Sequence, residues 1–479
     1  MESVISHGFL VFWEMVKGGI YWCLNCNSPL LGEKCNECED KGEFVPLSRA
    51  ADARPAFNND VAFIENLIRR TYGNRVAKTL NLKNQMFLLN RLPYLDKAYE
   101  IVLAGKVLAH IFFDIFSLSW KIKPLKALLK FMEEAATDHP HIILNKEKIG
   151  KHELLDESDI KKSNINESTE YFGIYSKDNK LIGLGCKSEG KILVLRVWKN
   201  HEDEELSFKK KSSWKTVLKA NRWQIEASRS RACKFLGKTV ERFRREVFVS
   251  YSGGKDSLAC LLLSLQAGID PKILFIDTCL EMPETIRNVN LIVEKFGLDS
   301  YVGKAEIGRF WKKFYAVGPP ARDFRWCSQL CKLKPTNKVL SKLGETLCIV
   351  GQRRVESSKR ASSPDVWLNP YVKKSINVTP ISGWKALHIW LFIMSEKAES
   401  LVNELYFKGF DRVGCYMCPS ATLADMYKVK EWHPKLWSKW EEALKEWGMK
   451  NSLNENWIKY ALWRWRKRIP KTLKAFLEK

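Results

Sequence analysis

The sequence predicts an α/β protein built from several parts, and three observations carry that reading. A β-rich apolar run, Val247–Tyr251, meets the glycine-containing loop Ser252–Ser257, and a helical pattern follows through Leu258, Leu261, Leu262 and Leu265. Helical and extended patterns alternate between about 55 and 140, whereas 141–200 ends in strand and hairpin signals. Near the N-terminus, two C-x2-C knuckles stand apart from everything else.

Length and composition bound the answer. At roughly 100–200 residues per domain, 479 residues predict about three domains. A hydrophobic fraction of 45% with 28% charged residues is globular, which excludes disordered, collagen-like and low-complexity classes. Lysine and arginine total 79 against 55 acids, a net charge of +24. That excess points to a polyanionic partner, most simply nucleic acid, with an anionic membrane surface as the rival. The 13 cysteines are odd in number and partly paired in sequence, which favours metal or redox sites in a reducing cytoplasm over a disulfide framework. No signal peptide is expected, because the first residues lack a basic region and Glu14 and Lys17 interrupt the apolar stretch. The most apolar internal window, Ile101–Trp120, carries Lys106, His110 and Asp114. A membrane span needs about 20 predominantly apolar residues, so the window reads as core and no membrane partner is expected.

The elements follow in order. In 1–50, Cys23, Cys26, Cys35 and Cys38 supply four thiolates from two tight turns, the tetrahedral sulfur set that structural zinc takes. So small a piece has too little core to fold without a metal. The pattern resembles a zinc ribbon, with a structural role or a nucleic-acid platform as its use. Residues 51–140 form an α/β spacer. Val61, Ile64, Leu67 and Ile68 have helical spacing, and Ala104–Asp114 reads as a strand pair or strand-turn. In 141–200, two apolar runs flank Lys177-Asp-Asn-Lys180, a hairpin signal, and Gly190–Trp198 adds another strand. The run GIYSKDNKLIGLGCKSEGKILVLRVWK resembles the final strands of a PUA domain, which implies RNA binding; a β-rich spacer without RNA contact is the alternative.

Residues 201–245 read as a basic helical linker. Between 206 and 245 there are 13 lysines and arginines against Glu226 and Glu241, a net +11. Either a solvated helix face or a backbone-tracking nucleic-acid surface fits.

The stretch from 246 to 430 carries the chemistry. Strand, glycine loop and helix present backbone N–H groups and a helix dipole to phosphate. Gly253 and Gly254 permit positive φ and close approach. Ser252 and Ser257 offer hydroxyls, Lys255 a cation, and Asp256 an orienting group for Lys255 or for magnesium. SGGKDS is similar to the pyrophosphate-binding signature of the ATP-pyrophosphatase (PP-loop) enzymes. Phe275–Thr285, with Asp277, Thr278 and Glu284, resembles an element of the phosphoadenosine-phosphosulfate-reductase-like branch; so do Gly351–Arg360 and Leu405–Pro419. The resemblance implies a mostly parallel twisted sheet of the adenine nucleotide alpha hydrolase type, with helices on both faces. This α/β domain would be preceded by the zinc ribbon and the small β-rich PUA-like domain, and followed by a helical tail.

The resemblance also implies ATP or adenylyl sulfate at Ser252–Ser257, Asp277, Thr278, Glu284, Gly351, Arg353, Glu356 and Arg360, with magnesium. Catalytic roles fall to Lys255, Asp256, Arg353 and Arg354, since arginine forks suit phosphate or sulfate oxygens and Glu356 can hold one of them. Cys327, Cys331, Cys415 and Cys418 resemble the 4Fe–4S ligands of iron–sulfur adenylyl-sulfate reductases, although those carry an adjacent cysteine pair where Ser328 follows Cys327 here. Four thiolates from two distant loops fit an iron–sulfur cluster or zinc, and the cluster is favoured. Cys279 stands where the branch usually has glycine, and Cys186, Cys233, Cys260 and Cys348 read as small buried hydrophobes.

Two departures set the functional expectation. The reductases attack sulfate with a mobile cysteine near the C-terminus, and this sequence has no cysteine after Cys418. They usually alter the loop, and this sequence keeps Lys255 and Asp256. ATP-dependent sulfur insertion into RNA, of the tRNA thiolation type, is therefore expected, with a sulfur or electron donor protein as a further partner. A phosphoadenylyl-sulfate or adenylyl-sulfate reductase and a non-catalytic RNA-binding adaptor are the alternatives. In the tail, 431–479, Trp437, Trp440, Leu444 and Trp447 share one helix face and predict core packing. Trp463–Arg468 is read alternatively as a single-strand clamp.

Overall fold

The computed structural model describes residues 18–477 apart from 49, 136–138, 168, 189, 199–211 and 373. The expectations for residues 1–17 and for Lys209–Lys211 lie outside the described residues.

The two knuckles sit on a small antiparallel sheet in which Gly19–Cys23 lies between Ser28–Leu30 and Glu43–Pro46. It does not stand alone. Asn221, between the helices Trp214–Ala220 and Arg222–Phe243, accepts the Leu31 N–H at 2.7 Å and donates to the Pro29 carbonyl at 2.9 Å. Ala220 packs with Cys23, Leu30 and Cys35. The basic linker is thus the seat of the knuckles.

Residues 54–124 form a five-stranded antiparallel meander in chain order: Arg54–Pro55, Phe87–Arg91, Ala98–Leu103, Lys106–Asp114 and Ser119–Pro124. The apolar window Ile101–Trp120 supplies its centre. Ala104 and Gly105 make the strand-turn-strand junction with φ of 49° and 75°, the doubly left-handed turn that matches strand twist. Helices Asn58–Leu80 and Lys126–Glu134 bury Ile64, Ile68, Leu128 and Met132 with this sheet.

A second sheet, mixed and six-stranded, spans 141–197. The expected hairpin forms between Tyr171–Tyr175 and Leu181–Ser188, with Asn179 at φ 60° in its turn, and Lys191–Val197 pairs on its far side. Tyr171–Tyr175 also runs parallel to His141–Leu144.

The third sheet positions the site. Its order is Ser300–Lys304, Lys272–Asp277, Glu246–Ser250, Thr346–Ile349, Ser375–Val378, Val366–Leu368. The first five strands are parallel and the last is an antiparallel edge. Both faces are covered, as parallel sheets require. Val247, Val249, Ile273, Leu347 and Ile376 pack with the helices Arg222–Phe243, Lys255–Gln266 and Ala386–Ser395, while Phe248, Leu274 and Cys348 pack with Leu340 on the other face. From Glu246–Ser250 the chain moves outward on one side and returns on the other, so the order reverses between this strand and Thr346–Ile349. Open α/β sheets bind ligands at such a switch point, beyond the C-terminal ends of the strands.

The tail is core. Trp437, Trp440, Leu444 and Trp463 pack with Phe310, Phe314 and Trp326. Trp463 is 2% exposed and Arg464 0%, the latter paired with Asp96 at 3.3 Å. The clamp reading therefore fails for these two residues, whose aromatic face and guanidinium are committed inside. Among the described residues, no helix is long and apolar enough to cross a membrane.

Candidate nucleotide and cysteine site

The loop Ser252–Gly254 follows Glu246–Ser250 and starts the helix Lys255–Gln266. Gly253 takes φ 72°, a conformation that costs a side-chain-bearing residue dearly. The Ser252 N–H donates to the Ser257 hydroxyl at 3.3 Å, and that hydroxyl donates to the Gly254 carbonyl at 2.8 Å, so the loop is preformed. Gly351, from the opposite side of the switch point, rests on it directly. A Cβ there would lie 2.7 Å from the Asp256 carbonyl carbon and 2.8 Å from the Ser257 nitrogen.

Lys255 and Asp256 form the centre of a buried charge chain. The Lys255 ammonium donates to Asp256 Oδ2 at 2.7 Å and lies over the Tyr406 ring, 5.4 Å from its centroid. Arg353 contacts Asp256 Oδ1 through Nε at 2.9 Å and both oxygens of Asp52 through one terminal nitrogen at 2.9 Å. Burial opposes both charges of the central pair. The Asp256 carboxylate nonetheless holds the Lys255 pKa above the usual lysine value, and Lys255 with Arg353 holds Asp256 below the usual carboxylate range. Both oxygens of Asp256 thus face protein cations, which supports its orienting role over direct magnesium ligation. The hydroxyl of Tyr406 accepts the Lys255 backbone N–H at 3.2 Å.

The predicted residues divide in two. Ser252, Gly254, Asp256, Ser257, Thr278, Gly351, Glu356 and Arg360 line one cavity of about 460 Å³. Lys255 and Arg353 are turned inward at 5% and 4% exposure, and Arg354 pairs with Asp365 at 2.6 Å; none of the three lines the cavity, nor does Gly253. Arg353 and Arg354 are both engaged in ion pairs whose partners the sequence did not reveal. Glu284 also lies outside the lining, held by His433 at 3.1 Å, and Asp277 accepts the Cys279 N–H at 2.7 Å beside it. Arg360 pairs with Glu356 within the lining.

The far wall of the same cavity is made by Cys327, Cys331, Cys415 and Cys418. A π-helical turn, Gln329–Leu333, interrupts the helix that begins at Trp326 and carries Cys331. Such turns are frequent at functional sites. Cys415 bridges to Glu281 and Tyr416 donates its N–H to the Leu280 carbonyl at 2.9 Å, so the second cysteine pair is stitched to the strand end bearing Thr278. Thr278 Oγ1 lies 3.4 Å from Cys415 Sγ, and Arg412 donates to Cys418 Sγ at 3.4 Å. Arg325, Lys332 and Arg412 line this wall and would offset thiolate charge. Burial raises the thiol pKa of Cys327 and Cys415 and takes Cys331 to about 12, so metal binding here would release protons.

The two cysteine quartets differ in geometry. The sulfurs of Cys23, Cys26, Cys35 and Cys38 all lie within 4.8 Å of one another, and they are the one such group among the described residues. A Zn–S length near 2.3 Å puts tetrahedral sulfurs about 3.8 Å apart, so this group fits a single ion. Cys327, Cys331, Cys415 and Cys418 do not form such a group.

Sequence reasoning missed Asp52, Tyr406 and Asp411. Tyr406 and Asp411 lay within the Leu405–Pro419 element without being singled out, and Asp52 has no local signal at all.

Residues 246–421 match the phosphoadenosine phosphosulfate reductase domain family. The adenosine 5'-phosphosulfate reductase of Staphylococcus epidermidis is 27% identical over 42% of this chain and 81% of that protein. The crystal structure of phosphoadenylyl-sulfate reductase from Candida auris, a phosphate complex, aligns at 18% identity and a TM-score of 0.33, covering 40% of this chain and 95% of that one. The uncharacterized protein MJ0066 of Methanocaldococcus jannaschii is 36% identical over 95% of this chain and 99% of its own length. The chain belongs to the same family as MJ0066, and it carries a phosphoadenosine phosphosulfate reductase domain over residues 246–421.

Proposed function

We propose that this protein is an ATP-dependent enzyme that inserts sulfur into RNA, with tRNA as the substrate class. One observation carries the reading: a single cavity is lined by Ser252, Gly254, Asp256 and Ser257 of the loop and by four cysteines. An enzyme that only bound a sulfonucleotide would have no need of a loop shaped for released pyrophosphate.

The chemistry balances without an external oxidant. The oxygen of a nucleobase carbonyl attacks the α-phosphorus of ATP, and the bond to the bridging oxygen breaks to release pyrophosphate. A hydrosulfide donor then attacks the activated carbon, AMP leaves with the former carbonyl oxygen, and loss of the sulfur-bound proton gives the thiocarbonyl. Loop N–H groups and Lys255 take up the negative charge that develops on the departing pyrophosphate, so positioning and neutralisation do the work. Lys255 must exchange Asp256 for phosphate, and Arg353 is placed to receive the freed carboxylate. Leu280, Val350 and Met417 in the lining offer apolar contact to the purine. Magnesium would arrive on the nucleotide phosphates. The cysteines Cys327, Cys331, Cys415 and Cys418 would hold an iron–sulfur centre, which supplies a place to bind the incoming sulfur. The N-terminal quartet would hold zinc. The six-stranded sheet of 141–197 and the basic helix Arg222–Phe243 are the surfaces proposed for RNA.

The match to adenosine 5'-phosphosulfate reductases favours a second reading, reduction of a sulfonucleotide. Lys255 and Asp256 in the loop weigh against it. Anaerobically purified protein given ATP, RNA and a sulfide donor is expected to form AMP and pyrophosphate in step with thionucleoside. Lys255→Ala is expected to lower that rate by about 10²-fold or more with the melting temperature retained. Sulfite formation from adenylyl sulfate, with no ATP cleavage, would replace this reading with the reductase.

A further inference from the structure

Asp52, Ala53 and Arg54 connect the knuckle sheet to the first strand of the antiparallel meander, about 200 residues before the loop Ser252–Ser257. Asp52 faces the nucleotide wall of the cavity. It receives Arg353 on both oxygens at 2.9 Å and the Ala386 N–H at 2.6 Å, and Arg353 reaches Asp256. Arg54 faces the cysteine wall. Its Nε donates to Asp411 at 2.8 Å, and its other nitrogens fork onto Asp60 at 2.7 and 3.0 Å. Asp411 also accepts the Tyr99 hydroxyl at 2.6 Å and lies four residues before Cys415. Lys97 adds bonds to the Gly409 carbonyl at 2.8 Å and to Asp425 at 2.5 Å. Arg54, Lys97 and Arg353 are all less than a tenth exposed.

The segment from 399 to 422, which carries Cys415 and Cys418, has short helical turns and no long element of its own. Such a segment opens locally unless outside contacts hold it. Besides the bonds from Thr278, Leu280 and Arg322 within its own domain, it is held from the N-terminal half by Arg54, Tyr99 and Lys97. Asp52 and Arg54 are separated by one residue, so the stretch 52–54 ties the two walls to one another.

We propose that Asp52 and Arg54 are positioning residues that brace the two walls of the cavity. Asp52 holds the nucleotide loop through Arg353, and Arg54 holds the cysteine-bearing turn through Asp411. The proposal rests on the reading of this cavity as a nucleotide and cysteine site, and it assigns alignment of that site to a segment outside the reductase-like domain.

The test uses the full-length chain, reduced, zinc-loaded and iron-free, with two readouts. One is the iodoacetamide alkylation rate of each cysteine, resolved by mass spectrometry. The other is the dissociation constant for pyrophosphate, measured by calorimetry. Arg54→Gln removes a buried partner, and Arg54→Lys keeps the charge without the fork should the first variant fold poorly. Both are expected to raise alkylation of Cys415 and Cys418 by about fivefold or more, with Cys327, Cys331 and pyrophosphate affinity within about twofold of wild type. Asp52→Asn is expected to do the converse, weakening pyrophosphate by about fivefold with all four alkylation rates retained. Equal acceleration of all four cysteines would show general loosening and overturn the brace, as would variants indistinguishable from wild type. A wild-type chain that binds no pyrophosphate would end the nucleotide reading, and the brace with it, before any variant is compared.

Discussion

Gly351 shows what a single residue decides in this site. No left-handed φ is required of it; it is needed because its Cα lies against the Asp256–Ser257 peptide. In Gly351→Ala the added methyl would meet backbone carbon at 2.7 Å, and a helix terminus cannot give way as a flexible side chain does. The loop beginning at Gly351 must then withdraw, taking Arg353 from Asp256. We expect a destabilisation of about 1–3 kcal/mol and loss of nucleotide affinity, read by denaturant melting and by titration with ATP. Wild-type affinity in this variant would show that the close approach is not needed for binding. The residue types at this site were legible because each is locally patterned: two glycines, two serines, a lysine and an aspartate in six positions. Their partners were not. Arg353 reads as a phosphate fork in sequence because nothing near it announces Asp52, whose carboxylate arrives from 301 residues away.

Among the elements, the helix Ala386–Ser395 lies between the parallel sheet and the basic helix Arg222–Phe243. His388 on this helix stacks on Trp384 with ring centroids 4.1 Å apart. Burial, with Arg231 nearby, pushes its pKa down to about 4 from the usual 6.5. The folded state thus favours the neutral ring, and the unfolded chain binds a proton first. This contribution to stability is full above pH 6.5 and is lost as the pH falls from there towards 4. The whole step is on the order of 3 kcal/mol. Melting temperature is expected to fall over that window in wild type, and His388→Phe is expected to flatten the fall. A profile that keeps its slope in the variant would assign the loss to other groups. The elements themselves were mostly readable, since the strand-loop-helix at 247–266 and the hairpin at 171–188 have strong local periodicity. Their assembly was less so. That Trp463 and Arg464 would be buried depended on Asp96 and on the Phe310–Trp326 cluster, both remote in sequence.

Across the whole molecule, the helix Arg222–Phe243 carries six cations against Glu226 and Glu241, a small share of the +24 charge but gathered on one element. Ile225, Ala232 and Leu236 pack one face of it onto the catalytic core, leaving Arg222, Arg231, Lys234, Lys238 and Arg242 exposed. Trp223 is 62% exposed beside Arg222, whose guanidinium lies 5.2 Å from the indole centroid, and the Trp223 backbone N–H donates to Asn36 Oδ1 of the knuckle at 2.9 Å. An aromatic face and a row of cations thus adjoin the knuckle, which is what a nucleic-acid backbone and an unpaired base would both contact. Counterion release gives this arrangement a quantitative signature. Each phosphate neutralised contributes about 0.7–0.9 to the slope of log affinity against log salt. Replacing Arg231, Lys234 and Lys238 together by glutamine is therefore expected to make tRNA binding shallower in salt by about 2–3 units of slope, if each cation meets one phosphate. Trp223→Ala carries no charge change and is expected to weaken binding by about 1–3 kcal/mol at every salt concentration, with the slope unchanged. Parallel salt plots for wild type and the triple variant would move the RNA path off this helix, leaving its charge as a solvated face that keeps the knuckle seated.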